Sequence, residues 1–263
     1  MLVVISPAKR LDFEHKASTK SFSEPVFFKR GLVLVRELKK EGPSGLKKLM
    51  KISDKIADEN DKRFKAFHTS QSLDNAKQAA FAFQGDTYQG LGVNNYSSGD
   101  IKEAQKNLRI LSGLYGVLLP LDLIQPYRLE MGTKFGIQKS KNLYEYWKQV
   151  VTDLINQTLK KNKTEFLVNC ASDEYFSVLD KKLLDGLVIT PVFKDSPKGE
   201  DKPFKIISFF AKRARGLMAS YIIQNKIKNP EDLKKFKEAG YKYVAGESTP
   251  ERPVFHRKYQ ASA

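Results

Sequence analysis

Cysteine is almost missing from this 263-residue chain, where Cys170 stands alone. A single thiol excludes an internal disulfide, a cysteine-rich zinc site and a cysteine-held iron-sulfur cluster within one chain. Histidine is nearly as scarce: His15, His68 and His256 lie far apart, without the spacing by which imidazoles share a metal. Neither a metal site nor a cofactor is expected. Acidic residues are outnumbered, 30 against 46 basic ones, and the formal net charge of +16 favours a polyanionic partner. No apolar run reaches the roughly 18 residues that cross a membrane, and the first residues lack a signal peptide's basic start and cleavage site. A cytoplasmic protein with no membrane partner is expected. The Walker loop, GxGxxG and GxSxG are absent as well.

What is present concentrates between Arg109 and Gly132, in the run RILSGLYGVLLPLDLIQPYRLEMG. Glycines and prolines recur there among Arg109, Ser112, Tyr115, Asp122, Tyr127, Arg128 and Glu130. A segment this apolar must pair its polar groups or offer them to a ligand. Both readings stand at this point: the wall of a polar cleft, or a buried network that fixes a turn.

Around it the chain alternates helical and strand patterns. Leu2 to Ile5, Leu108 to Leu111 and Phe166 to Cys170 read as buried strands. Two of them end in polar turns, Ser6-Pro7-Ala8-Lys9 and Ala171-Ser172-Asp173-Glu174-Tyr175, so Ser6, Lys9, Asp173 and Glu174 are site candidates, with ordinary turn and cap roles as the alternative. Phe27 to Lys40 has helical spacing and stops at Gly42; Pro43 opens a second helix, and Ser53 caps a third. The start of that third helix leaves backbone N-H groups free beside Lys51 and Lys55, near Lys47 and Lys48, which suits a phosphate. Gly85 to Leu91 reads as a glycine-bounded turn, Ser97 to Asn107 and Leu143 to Leu159 as helices, and Leu187 to Phe193 and Pro203 to Phe210 as strands joined by a turn from Lys194 to Lys202. Ala211 to Asn225 reads as a helix burying Ala214, Leu217, Met218 and Tyr221, with Lys212, Gly216 and Ala219 opposite, where another backbone can approach closely. A helix after Pro230 and two edge strands, Tyr241 to Ala245 and Pro253 to Tyr259, close the chain. From Lys205 to Lys237 there are nine basic and two acidic residues, including Lys212 and Arg215. The mixture favours a single α+β domain, a mixed sheet surrounded by helices.

Six ordered motifs, SPAK, LMKISDKIA, GDTYQGL, the central stretch, ASDEYF and FKIISFFAKRARGLM, together resemble the YaaA family of bacterial peroxide-stress resistance proteins. The resemblance implies a cytosolic protein that limits free intracellular iron and oxidative damage. It also implies a cantaloupe-like fold with a helix-hairpin-helix element, here at about residues 43–64, and a basic cleft that binds double-stranded or branched DNA. Where the hairpin usually reads glycine, apolar, glycine, this chain has Lys51-Ile52-Ser53. The expected phosphate contacts are Lys47, Lys48, Lys51, Ser53, Lys55, Arg109, Arg128, Lys212 and Arg215. An enzyme acting on DNA or a phosphorylated small molecule is the alternative, with Lys9, Lys212, Asp173 and Glu174 as catalytic candidates, because phosphate binding alone does not call for acidic residues.

Overall fold

Leu2–Ile5 (β1) is buried at every position, as an apolar run with no polar face requires. The computed structural model describes residues 1–196 and 203–258 and sets β1 at the centre of the main sheet. Helix α1 (Phe28–Met50) is broken at Gly42, whose φ of 61° suits glycine, and Pro43 starts its second half where an amide hydrogen is not needed. Lys51 ends it in the left-handed region. Ser53 then caps α2 (Asp54–Lys65) by accepting a hydrogen bond from the Ile56 amide. Past a one-turn helix at Ala79–Ala82 lies α3 (Asp86–Leu91), and Ser97 and Asp100 form a capping box on α4 (Ser98–Asn107). That helix feeds β2 (Leu108–Ser112), which turns into β3 (Gly116–Leu118). Helix α5 (Leu143–Lys161) leads to β4 (Phe166–Cys170), the one-turn α6 (Asp173–Phe176), β5 (Leu187–Ile189) and β6 (Val192–Ser196). Helix α7 (Ser208–Gln224), β7 (Lys242–Tyr243) and β8 (Val254–Lys258) complete the order.

The main sheet runs β3-β2-β1-β4-β5. Its β2, β1, β4 and β5 are parallel, and β3 is antiparallel to β2. A second sheet, β6-β8-β7, holds a parallel and an antiparallel pair. One hydrophobic cluster extends from Met1 to Phe255 and joins residues of both sheets with the helices. The α+β architecture expected from the sequence is thus present. Among the described residues no helix is long and apolar enough to cross a membrane.

Several local expectations are corrected. Pro203 to Phe210 is not a strand: Lys205 alone bridges Asp195, and α7 begins at Ser208. Ile206 and Phe209 are 58% and 55% exposed, so this apolar run is not the buried strand it resembles. Gly85 to Leu91 is mostly the helix α3 rather than a turn. Lys194 to Ser196 belong to β6, while residues 197–202 of the expected turn, and Tyr259 of the last expected strand, lie outside the described residues. β8 is the middle strand of its sheet, because β6 returns to pair beside it. The segment after Pro230 is a 3-10 helix, Pro230–Lys235. On α7, Gly216 and Ala219 are buried, whereas Leu217 and Tyr221 are only partly covered, because α3 packs on the small-residue side.

The central stretch is largely the buried network. Ser112 and Tyr127 share a 2.7 Å hydroxyl contact, and the Gln125 amide donates to Tyr115 Oη. Asp122 accepts from Ser23 Oγ at 2.6 Å and from the Leu119 amide at 2.8 Å. Burial pushes the Asp122 carboxyl up to about 6, against the opposing pull of Ser23, the Leu119 amide and Arg109. The folded chain therefore holds this proton more tightly than the unfolded chain. The stability it contributes is present below about pH 4 and is lost as pH rises through about 6, on the order of 3 kcal/mol in all. Denaturant titrations across this range should show that fall, and Asp122→Asn should flatten it. An unchanged slope in the variant would assign the fall to other groups.

Candidate functional site

The parallel strands β1 and β4 end side by side, Ile5 opposite Cys170, and the chain must turn away from the sheet at both points. Such strand ends are where sheets flanked by helices bind ligands. Ser6 and Ser172 tie the two turns together. The Ser172 amide donates to Ser6 Oγ at 2.9 Å, and the two hydroxyls are 3.3 Å apart. Tyr88 of α3 donates its hydroxyl to the Ser6 carbonyl at 3.1 Å, which fixes α3 over the same strand end.

Helix α3 is held there by α7 through two glycines. A Cβ on Gly216 would overlap the Thr87 carbonyl oxygen, and one on Gly90 would overlap the Arg213 carbonyl oxygen. The helices therefore cross backbone to backbone. This contact brings Lys212 and Arg215 to the Ser6 turn, where a cleft of about 440 Å³ opens. Lys9, Arg10, Lys212 and Arg215 line it, opposed by Asp86 and Glu174.

Glu174 also forms part of a neighbouring pocket with Lys48, Lys51, Glu130 and Lys134. Its Oε1 accepts from the Gly132 amide at 3.0 Å, and its carbonyl accepts from Tyr144 Oη at 2.9 Å. Glu130 accepts from Arg128 at 2.9 Å and lies 3.0 Å from Lys9 Nζ. Lys9, Arg128, Glu174 and Lys212 thus gather in one region, with Glu130 as the link between the first two. Lys9 and Lys212 are exposed, and Asp173 is exposed without lining the cleft.

Two candidates stand apart. Arg109 lines a different pocket, with its guanidinium donating to the Gln105 and Leu108 carbonyls. Strand β2 places Ser112 in the hydroxyl network of the central stretch and Arg109 in the wall of that other pocket. Lys47 is paired with Asp54 at 2.7 Å, an acidic group at the start of the very helix expected to hold phosphate. The Asp54 and Lys55 amides have no acceptor among the described residues, as is usual at a helix start, and Lys48, Lys51 and Lys55 are exposed. Ser53 Oγ accepts from the Ile56 amide of its own helix.

Sequence reasoning missed Arg10, Asp86 and Tyr88 as parts of this site, whereas Glu130 was among the polar residues of the expected cleft wall. The available signal was the GDTYQGL motif, whose second glycine only makes sense if a backbone lies against it.

A family model described as peroxide stress protein YaaA matches residues 1–247. The chain belongs to this family. It is 49% identical over 258 residues to a UPF0246 protein of Shewanella woodyi, covering 98% of this chain and 100% of that one. A UPF0246 protein of Shewanella sediminis is 50% identical over 260 residues, covering 99% and 100%, and one of Aliivibrio fischeri is 50% identical over 260 residues, covering 99% of each.

Peroxide chemistry draws attention to the lone thiol. Burial pushes Cys170 up to about 12, against a smaller opposing pull from Arg215, so at neutral pH it is a thiol rather than the thiolate that peroxide attacks. Hydrogen peroxide applied to the native protein should leave Cys170 unmodified by mass spectrometry, with oxidation appearing only after unfolding. Rapid sulfenic acid formation in the native state would refute this.

Proposed function

We propose that this peroxide stress protein binds the phosphate backbone of double-stranded or branched DNA in the cytoplasm, so that peroxide-driven damage is limited. One observation carries the reading: the cleft that holds Lys9, Lys212 and Arg215 and the pocket that holds Lys48 and Lys51 are neighbours that share Glu174, so the two cation groups flank one carboxylate. The helix pair around Lys51–Ser53 serves in this reading as a helix-hairpin-helix, offering the amides of Asp54 and Lys55 to one phosphate. Glu174 and Glu130 restrict entry, since a carboxylate repels phosphate wherever no lysine neutralises it. Any influence on free iron is indirect, because one buried thiol and three scattered histidines provide no soft or imidazole-rich site.

Anisotropy titrations on unrelated duplexes and a four-way junction, at several salt concentrations, test this. Affinity should vary little with sequence and fall steeply with salt. Lys212→Glu with Arg215→Glu should weaken every duplex alike, by about tenfold or more, and Lys48→Ala should reduce the salt slope by about one unit. Absence of binding at low salt would overturn the proposal.

A second reading, an enzyme acting on DNA or a phosphorylated small molecule, is favoured by the position of the cleft at the ends of β1 and β4, with Ser6, Ser172, Lys9 and Glu174 around it. Turnover of DNA or nucleotide substrates that is lost in Lys9→Ala or Lys212→Ala would support it.

A further inference from the structure

A second pocket, of about 700 Å³, lies at the opposite end of the main sheet, where β2 begins and α5 ends. It shares no lining residue with the cleft. Arg109 forms part of its wall and is only 7% exposed. A guanidinium buried to this extent normally faces a carboxylate. Here no carboxylate oxygen among the described residues lies within 4.0 Å of it. Asp122, the nearby counter-charge, gives its oxygens to Ser23 and to the Leu119 amide. Nη1 of Arg109 takes both backbone carbonyls, of Gln105 and Leu108, which leaves Nε and Nη2 without a protein acceptor among the described residues.

The rim repeats the pattern. Lys102, Lys106 and Lys161 line the pocket, are exposed and form no ion pair among the described residues, and no acidic side chain lines it. Ile101, Leu119 and Leu121 give the remaining wall an apolar surface. A largely buried guanidinium with no carboxylate within 4.0 Å, three cations without ion pairs among the described residues and a partly apolar wall are complementary to an anion attached to a flat, weakly polar body. The volume is that of pockets which enclose small ligands.

We propose that this pocket binds a small phosphomonoester of the nucleoside 5′-monophosphate class, with the face of its base on the Ile101, Leu119 and Leu121 wall, its sugar hydroxyls toward the polar lining and its phosphate on Arg109 and the rim lysines. The site is separate from the DNA groove and does not depend on it. Arg109 supplies fixed, planar donors suited to phosphate, and the lysines add point charges at the mouth.

Calorimetric titration of the full chain with adenosine 5′-monophosphate, adenosine and inorganic phosphate tests the assignment. The monophosphate should bind saturably at one site, and more tightly than either fragment. Joint substitution Lys102→Ala, Lys106→Ala and Lys161→Ala, all at exposed positions, should weaken it by about tenfold or more. Lys212→Glu with Arg215→Glu should leave it unchanged. Arg109→Lys keeps a cation but loses the fork, and should also weaken binding in protein whose melting temperature shows it folded. No saturable monophosphate binding, binding indifferent to the rim lysines, or binding lost in the Lys212 and Arg215 variant would each overturn the assignment.

Discussion

Gly216→Val should destabilise the protein by more than about 3 kcal/mol, and Gly90→Ala should do nearly as much. A side chain at either position meets a backbone carbonyl of the opposing helix, Thr87 on one side and Arg213 on the other. Backbone atoms cannot swing aside as a flexible side chain can, so α3 and α7 must separate. Separation has two consequences at once. Tyr88 loses its hold on the Ser6 carbonyl, and Lys212 and Arg215 move away from the turn that carries Lys9. Chemical denaturation should show the lost stability, and DNA titration of whatever folded protein remains should show weakened binding. Gly246→Ala, at a glycine where a Cβ meets nothing within 4 Å, is the control that should change neither. Wild-type stability in Gly216→Val would mean the two helices do not cross as closely as described.

Trp147→Ala is the second large effect, about 3–5 kcal/mol of destabilisation. Trp147 is fully buried and donates its indole N-H to the Gly113 carbonyl at 2.9 Å. Its ring also lies against the turn that joins β2 to β3, where a Cβ on Gly116 would come within 2.7 Å of Cε3. Tyr146 meets it edge-on at 4.8 Å and Phe27 at 5.9 Å. Removing the indole therefore leaves a cavity and an unpaired buried carbonyl together. Trp147→Phe refills most of the volume but not the hydrogen bond, so about 1–3 kcal/mol of the loss should persist. Equal stabilities of the Phe variant and wild type would show that volume alone matters at this position.

Local chemistry made much of the chain legible. The break at Gly42 and Pro43, the Ser53 cap and the start of α4 at Ser97 depend on backbone angles and nearby hydroxyls, which a short window of sequence contains. Leu2 to Ile5 and Phe166 to Cys170 are strands because each is too short and too apolar for an exposed helix. Pro203 to Phe210 shows the limit of the same rule. Its apolar residues look identical to a buried strand until the fold leaves Ile206 and Phe209 in solvent.

By itself the sequence determined the family, the mixed helix and strand content, the basic balance, the absence of a disulfide framework and the close backbone approach at Gly216. Its partner for that approach, Gly90, lies more than a hundred residues away, and only the tertiary structure decided the pairing. The same holds for the direction of Arg109. It sits three residues before Ser112 on one strand, but it faces the pocket at the opposite end of the sheet from the cleft. Glu130 and Glu174 could be seen as acidic residues in polar turns, but their meeting with Lys9 and the Gly132 amide could not. Spacing along a chain fixes which side chains share one helix face or strand face. Which faces then meet depends on how the whole apolar surface is buried, and that is settled by all the elements together.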